Sequence, residues 1–329
     1  MSLLRLLTLG AMAAAASAYV ADLTIKQCTK SGCTPVKKRI ALDSTSNHSG
    51  SAGGRLITVG GAGLDALTLT YGGADVGGPR VYLIEEDGVN KNHLFMLRGQ
   101  EFTFDVELSS MPCGFNAALY FVGMTANEGG AENGTKYCDA QAATDTLCSE
   151  MDVLEANTDA QQYTSHACLN ACGSYSTSAQ CKSDPGKPST IYDQNGCGLN
   201  PFRYGPGTTY NTETNHENWY GPGATNALDS TQPFTVVTQF NDDAGGGGGG
   251  DAEGGPGLGS ITRFYVQKGK RVDLPTLCVL RPKGGHGWAA TPARRSRPTT
   301  ARTYTTGGTH RCIRLHRWGG TWRVGWSLP

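Results

Sequence analysis

The spacing of apolar residues constrains this chain more than any other feature. Leu64–Tyr71, Arg80–Glu85, Glu101–Leu108, Ala117–Val122, Phe234–Phe240 and Ile261–Gln267 alternate or are rich in β-branched and aromatic side chains, and Gly, Pro, Asn and Asp separate them. No long stretch carries the 3.6-residue period of a helix. Many short strands without helices predict an all-β fold, a sandwich or a barrel.

One of the densest acidic stretches beside core-type residues is Glu150-Met-Asp-Val-Leu-Glu-Ala-Asn157. On a helix Glu150, Asp152 and Glu155 point three different ways. On a strand Glu150 and Asp152 share one face and Met151 and Val153 the other, while strict alternation sends Glu155 to the face of Met151 and Val153. A bulge or bend between Asp152 and Glu155 returns it to the face of Glu150. Straight strand separates the α-carbons of residues five apart by roughly 16 Å, so the segment must also curve to bring the two glutamates near each other. Carboxyls about 5–5.5 Å apart across a sugar serve as nucleophile and general acid/base in retaining glycoside hydrolysis. A neighbouring Asp152 would then hold one of them and help set its protonation. The spacing is equally that of a solvated edge strand with three acids, and by itself does not choose.

The surrounding motifs do choose. Ser149-Glu-Met-Asp-Val-Leu-Glu-Ala-Asn157, with Ser165-His-Ala-Cys168 after it and Pro112-Cys-Gly-Phe-Asn-Ala-Ala-Leu-Tyr-Phe121 and Tyr137-Cys-Asp-Ala-Gln141 before it, resembles the glycoside hydrolase family 7 cellulases. The likeness runs with gaps from about Gln27 to about Cys278. It implies a curved β-sandwich, a concanavalin-like jelly roll with long loops, whose concave face holds a β-1,4-glucan chain. By this resemblance Glu150 is the nucleophile, Asp152 its supporting carboxylate and Glu155 the acid/base, with His166 near the cleaved bond. Ligand contacts implied in the same way are Asn116, Tyr120, Asp139, Gln141 and Arg203. Asn116 and Tyr120, four apart on a strand, lie on one face. Leu154 stands where the family often has Trp, as in members that cut chains internally, so endo action is expected. The mechanism needs no cofactor.

The resemblance also implies disulfides Cys28–Cys33, Cys138–Cys148 and Cys197–Cys278. A second family bridge beside Cys138 is absent, its positions being Ala142 and Leu147, and Cys113 is left without its family partner. Eleven cysteines suit disulfides in an exported chain. No matched pair of CxxC motifs is present, so no metal site is expected. Met1–Ala18, with Arg5, an apolar run to Ala16 and a small-residue end, reads as a secretory signal peptide. Nothing else is apolar for long enough to cross a bilayer, so a secreted, extracellular monomer with no membrane association after signal removal is expected.

The body at 19–280 reads as the catalytic domain. The chain's 28 basic and 28 acidic residues balance, yet 281–329 holds nine Arg, one Lys and no acid, leaving residues 1–280 acidic by the same ten charges. Four of five tryptophans also fall there. A basic aromatic arm for nucleic acid is one reading; the favoured one is a segment outside the fold, with no nucleic-acid partner and a sandwich incomplete at its C-terminus. Gly245–Gly250 reads as a flexible link between two strands that would otherwise form a hairpin. The alternative to an enzyme is a non-catalytic or degenerate β-glucan-binding jelly roll.

Overall fold

The computed structural model describes residues 19–43, 56–71, 78–87, 91–126, 137–140, 148–166, 218–242 and 260–273, and the strand backbone alone at 181–184, 187–193, 197–199, 258–259, 277–279, 290–292 and 320–327. Every regular element among these is a strand. In chain order they are β1 Val20–Thr29, β2 Gly32–Leu42, β3 Ile57–Gly60, β4 Ala66–Leu69, β5 Val81–Ile84, β6 Gln100–Glu107, β7 Ala117–Val122, β8 Glu150–Ala156, β9 Gln161–Ser165 and β10 Cys181–Asp184. There follow β11 Lys187–Asp193, β12 Cys197–Leu199, β13 Tyr220–Gly221, β14 Leu228–Asp229, β15 Phe234–Asp242, β16 Leu258–Gln267, β17 Lys270–Asp273, β18 Leu277–Val279, β19 Ala290–Pro292 and β20 Gly320–Ser327.

The large sheet runs β19-β18-β16-β15-β6-β20-β4-β3, with β17 beside β16. Two smaller sheets, β12-β9-β8-β7 and β1-β2-β5, supply the other apolar faces. Phe102, Phe104 and Val106 on β6, Phe234, Val236 and Phe240 on β15, and Ile261 and Tyr265 on β16 share one buried cluster with Ala117, Leu154 and Tyr163 of the second sheet and Leu23, Ile25, Ile40 and Leu42 of the third. A sandwich results, because each sheet has one apolar face and only stacking buries it.

All six strand segments expected from alternation are present, with ends shifted by a few residues or less. The β15–β16 hairpin across the glycine run pairs antiparallel from Thr235↔Val266 to Asn241↔Ser260. The β16–β17 turn closes through Lys268 and Gly269, both at positive φ (51° and 73°), the requirement of a two-residue type I′ turn. The β1–β2 hairpin was not among the expected strands. Lys26, Lys37, Lys38 and Arg39 interrupt its apolar pattern, although Leu23, Ile25, Ile40 and Leu42 all join the core cluster.

The basic segment needs a correction. Its residues 290–292 and 320–327 contribute backbone to the large sheet, β20 lying between β6 and β4. Within β20, Trp322, Val324 and Trp326 recur with period two, a strand pattern that the tail's basic composition hides. The signal-peptide reading at 1–18 lies outside the described residues.

Candidate active site

β8 carries the bulge that its acids require. On the β7 side Leu119 pairs with Leu154 and the adjacent Tyr120 with Asp152; on the β9 side Thr164 pairs with Asp152 and Gln162 with Glu155. Both neighbours therefore skip one residue of β8 between Asp152 and Glu155, and Val153 and Leu154 both go into the core, each wholly buried. Asp152 and Glu155 consequently fall on one face. Cross-strand pairing adds Ala118 and Tyr120 of β7, and Gln162 and Thr164 of β9, to that face.

Hydrogen bonds set each acid separately. Glu150 Oε2 accepts the backbone N–H of Ala140 at 3.0 Å. That peptide is held in place because the Cys138–Cys148 disulfide ties its segment to the start of β8 and Cys148 N–H donates to the Asp139 carbonyl at 3.0 Å. Asp152 Oδ2 lies 2.8 Å from His166 Nε2, whose ring is in turn 4.0 Å from Glu150 Oε2. Glu155 Oε1 accepts from Asn116 Nδ2 at 2.9 Å. At the end of β8 Asn157 Oδ1 accepts the N–H groups of Asp159 and Ala160, and its amide donates to the Phe115 carbonyl, closing the turn into β9.

Burial dominates the protonation of the pair. Glu150 is pushed up to about 8, first by desolvation and then by the Asp152 charge, against the pull of His166 and the Ala140 N–H. Glu155 rises to about 7 for the same two reasons, with the Asn116 amide opposing. The two acids sense the same Asp152, so they titrate as a set rather than singly. One protonated and one ionised carboxyl is the state that acid/base chemistry on a glycoside uses.

Asn116 is only 6% exposed and engages the acid/base candidate directly, so its contact is with Glu155 and not merely with a groove surface. Tyr120 is half-buried and its hydroxyl is pushed up to about 12 by burial, with Arg80 pulling the other way. Asp139 is buried and its charge is felt at Glu150. Leu154 packs in the core opposite Leu119, so it acts on the groove only through packing. Gln141 and Arg203 lie outside the described residues, as do the side chains of Cys197 and Cys278. Cys28–Cys33 and Cys138–Cys148 are formed, and Cys113 is disulfide-bonded too.

Other residues near the acids were not singled out from sequence. Arg80 Nε donates to buried Asp43 at 2.9 Å, Tyr82 hydroxyl donates to the same oxygen at 2.8 Å, and the guanidinium stands 3.7 Å from the Tyr137 ring centroid, beside Tyr120. Gln162 and Thr164 are joined by a 3.0 Å hydrogen bond. Their signal was the period-two row Gln162, Thr164, His166. Glu150, Asp152 and His166 could also gather a cation, their ligand atoms lying within 4.8 Å of one another, but the hydrogen bonds already described account for the cluster.

A β-sandwich with two half-buried glutamates of raised proton affinity and an Asp–His pair on one face defines a protein of the carboxylate-dependent glycosidase kind. The model of glycosyl hydrolase family 7 matches residues 57–147 and 143–283, and the chain belongs to that family. It is 39% identical over 212 residues to a probable endo-β-1,4-glucanase of Aspergillus clavatus, covering 58% of this chain and 44% of that protein. It is 36% identical over 225 residues to an endoglucanase of Hypocrea jecorina, covering 62% and 40%. The chain thus spans less than half the length of these curated relatives. Among solved structures, the native endocellulase of Humicola insolens superposes with a TM-score of 0.57 at 26% identity, covering 83% of this chain and 76% of that one. An endoglucanase I complexed with cellobiose gives a TM-score of 0.56 at 26% identity, covering 77% and 71%.

Proposed function

We propose that this protein is a retaining β-1,4-glucan hydrolase that cleaves cellulose or a related glucan internally. The observation that carries the reading is the bulge in β8, which puts Glu155 on the face of Asp152 with its carboxyl buried and its proton retained to about pH 7. Glu155 donates that proton to the departing glycosidic oxygen while Glu150 attacks the anomeric carbon; Glu155 then takes a proton from the water that releases the sugar. Ala140 N–H and His166 favour the Glu150 anion needed for attack, but burial and the Asp152 charge outweigh them and hold the Glu150 proton to about 8, so the division of roles between the two glutamates rests on the family resemblance. Asp152, paired with His166, raises the proton affinity of both glutamates. Endo action draws on the endoglucanase relatives, and substrate class on the glucan-cleaving names of those proteins. The catalytic body is assigned to 19–280, and the protein is taken to act as an exported monomer.

The test is release of the aryl group from an aryl β-cellobioside by the wild type beside Glu150→Gln, with a melting curve on both. Turnover by the wild type and its loss in a variant that melts cooperatively is the expected result. A cooperative melt with no wild-type turnover would leave a glucan-binding sandwich instead.

A further inference from the structure

Arg263 occupies a position where a sandwich core ordinarily holds an aliphatic side chain. It sits between Ile261 and Tyr265 on the inward row of β16, with no solvent exposure. The guanidinium lies 5.2 Å from the Tyr163 ring centroid and 5.1 Å from that of Tyr265. Its Nη1 donates to Thr238 Oγ1 at 3.0 Å and, across the sandwich, to the carbonyl of Val153. Nε and Nη2 are buried without a well-formed hydrogen bond, although the Tyr265 hydroxyl interacts with the group, and among the described residues no carboxylate pairs with it. Burying a cation without a counter-ion costs several kcal/mol. Simple filling of the core would therefore be better done by leucine or methionine.

What the cation reaches explains its place. Val153 belongs to the pair of residues at which β8 departs from both neighbouring ladders. A carbonyl displaced from its ladder and buried needs a donor from elsewhere. Should β8 relax to plain alternation, Glu155 would turn to the core face, because a shift of one residue exchanges the two faces of a strand. We propose that Arg263 is a positioning residue for Glu155: by holding the Val153 carbonyl from the opposite sheet it maintains the bulge that aims the acid/base into the groove. This rests on the reading of Glu155 as the acid/base.

The experiment compares wild type, Arg263→Met, Arg263→Lys and Thr238→Val on two aryl β-cellobiosides. Phenol leaves only with help from an acid, whereas 2,4-dinitrophenol leaves without it. Arg263→Met is expected to lose about 10²-fold in kcat/KM on the phenyl substrate and only a few-fold on the dinitrophenyl one. Azide, a nucleophile that needs no general base, should raise its kcat on the dinitrophenyl substrate. Arg263→Lys, which keeps a donor, should recover part of the loss. Equal losses on the two substrates, or losses that track only the folded fraction in melting curves, would overturn the positioning role. If neither Arg263 variant melts cooperatively, Thr238→Val decides. It frees one side of the guanidinium, and a several-fold loss confined to the phenyl substrate is expected; no such selectivity overturns the proposal. A folded wild type inactive on both substrates removes the glycosidase reading and this role with it. An active wild type whose variants lack selectivity removes only the role of Arg263.

Discussion

β8 and β15 are both interior strands of antiparallel sheets, and they are built in opposite ways. β15 keeps an unbroken ladder with β6 from Phe234 to Phe240 and with β16 from Thr235 to Asn241, and buries Phe234, Val236 and Phe240 in the core. β8 breaks register with both neighbours at one place and holds two glutamates whose ionisation burial opposes. Regularity in one sheet supports irregularity in the other. The contacts that carry this support cross the sandwich: Arg263 to Val153, and Tyr265 hydroxyl to Gln161 Oε1 at 2.7 Å. A site of this kind is expected to be costly in stability terms, with its functional groups unfavourable to folding and its framework favourable.

The sharpest way to break the comparison is to change each strand where it differs most. Glu155→Gln should lower kcat on an aryl β-cellobioside with a poor leaving group by roughly 10²–10⁴-fold without lowering the melting temperature. The pair titrates as a set at about 7 and about 8 and the productive state holds one proton, so kcat/KM in the wild type should rise as pH passes about 7 and fall as it passes about 8. The variant should lack that alkaline limb. A wild-type limb at the ordinary carboxylate range, near pH 4.5, would mean that Glu155 is not the buried acid of this site.

Phe234→Ala tests the framework. Phe234 is 2% exposed and meets the rings of Tyr220 and Tyr265 edge-on, so its truncation should cost about 3–5 kcal/mol in urea unfolding. Activity per folded molecule should stay near wild type. A fall in activity at full folding would show that the two strands are not separable in this way.

The smallest effect concerns Glu150 and depends on pH. Its folded pKa is raised, so the folded state holds the proton more tightly than the unfolded chain does. The stability this confers is fully present below about pH 4.5 and is lost as pH rises through about 8. Glu150→Gln cannot ionise and should be more stable than wild type by roughly 1–3 kcal/mol at pH 9, with little difference from the wild type's pH 5 behaviour. Denaturant titrations at the two pH values measure it; a variant less stable at pH 9 would place Glu150 in a site that favours its charge.

Much of the site was legible because it is local. Glu150, Asp152 and Glu155 lie within six consecutive residues, and the mismatch between their spacing and strict alternation showed that a common face for them needs a bulge. Cys138–Cys148 and His166 followed from motifs at fixed distances from those acids. Asn116 was expected as a ligand contact; that its amide also meets Glu155 emerges only from the folded pairing of β7 with β8. The β1–β2 hairpin was obscured because its lysines break the apolar pattern and its buried residues do not simply alternate, Leu23, Ile25 and Cys28 on β1 and the consecutive Ile40, Ala41 and Leu42 on β2. β20 was obscured for a related reason, since a tail's net charge averages over the short run that forms a strand.

Period, turn chemistry and the order of the acids are properties of neighbouring residues, so the sequence by itself determined an all-β chain and the place of its carboxylates, and showed that a bulge is the way to bring them to one face. The tertiary structure alone decided what holds that bulge and what protonates those carboxylates. Arg263 meets Val153 across 110 residues of sequence, and no local pattern ties the two. The raised affinity of Glu150 and Glu155 for protons comes from desolvation, which exists only once the surrounding sheets and loops have closed around them.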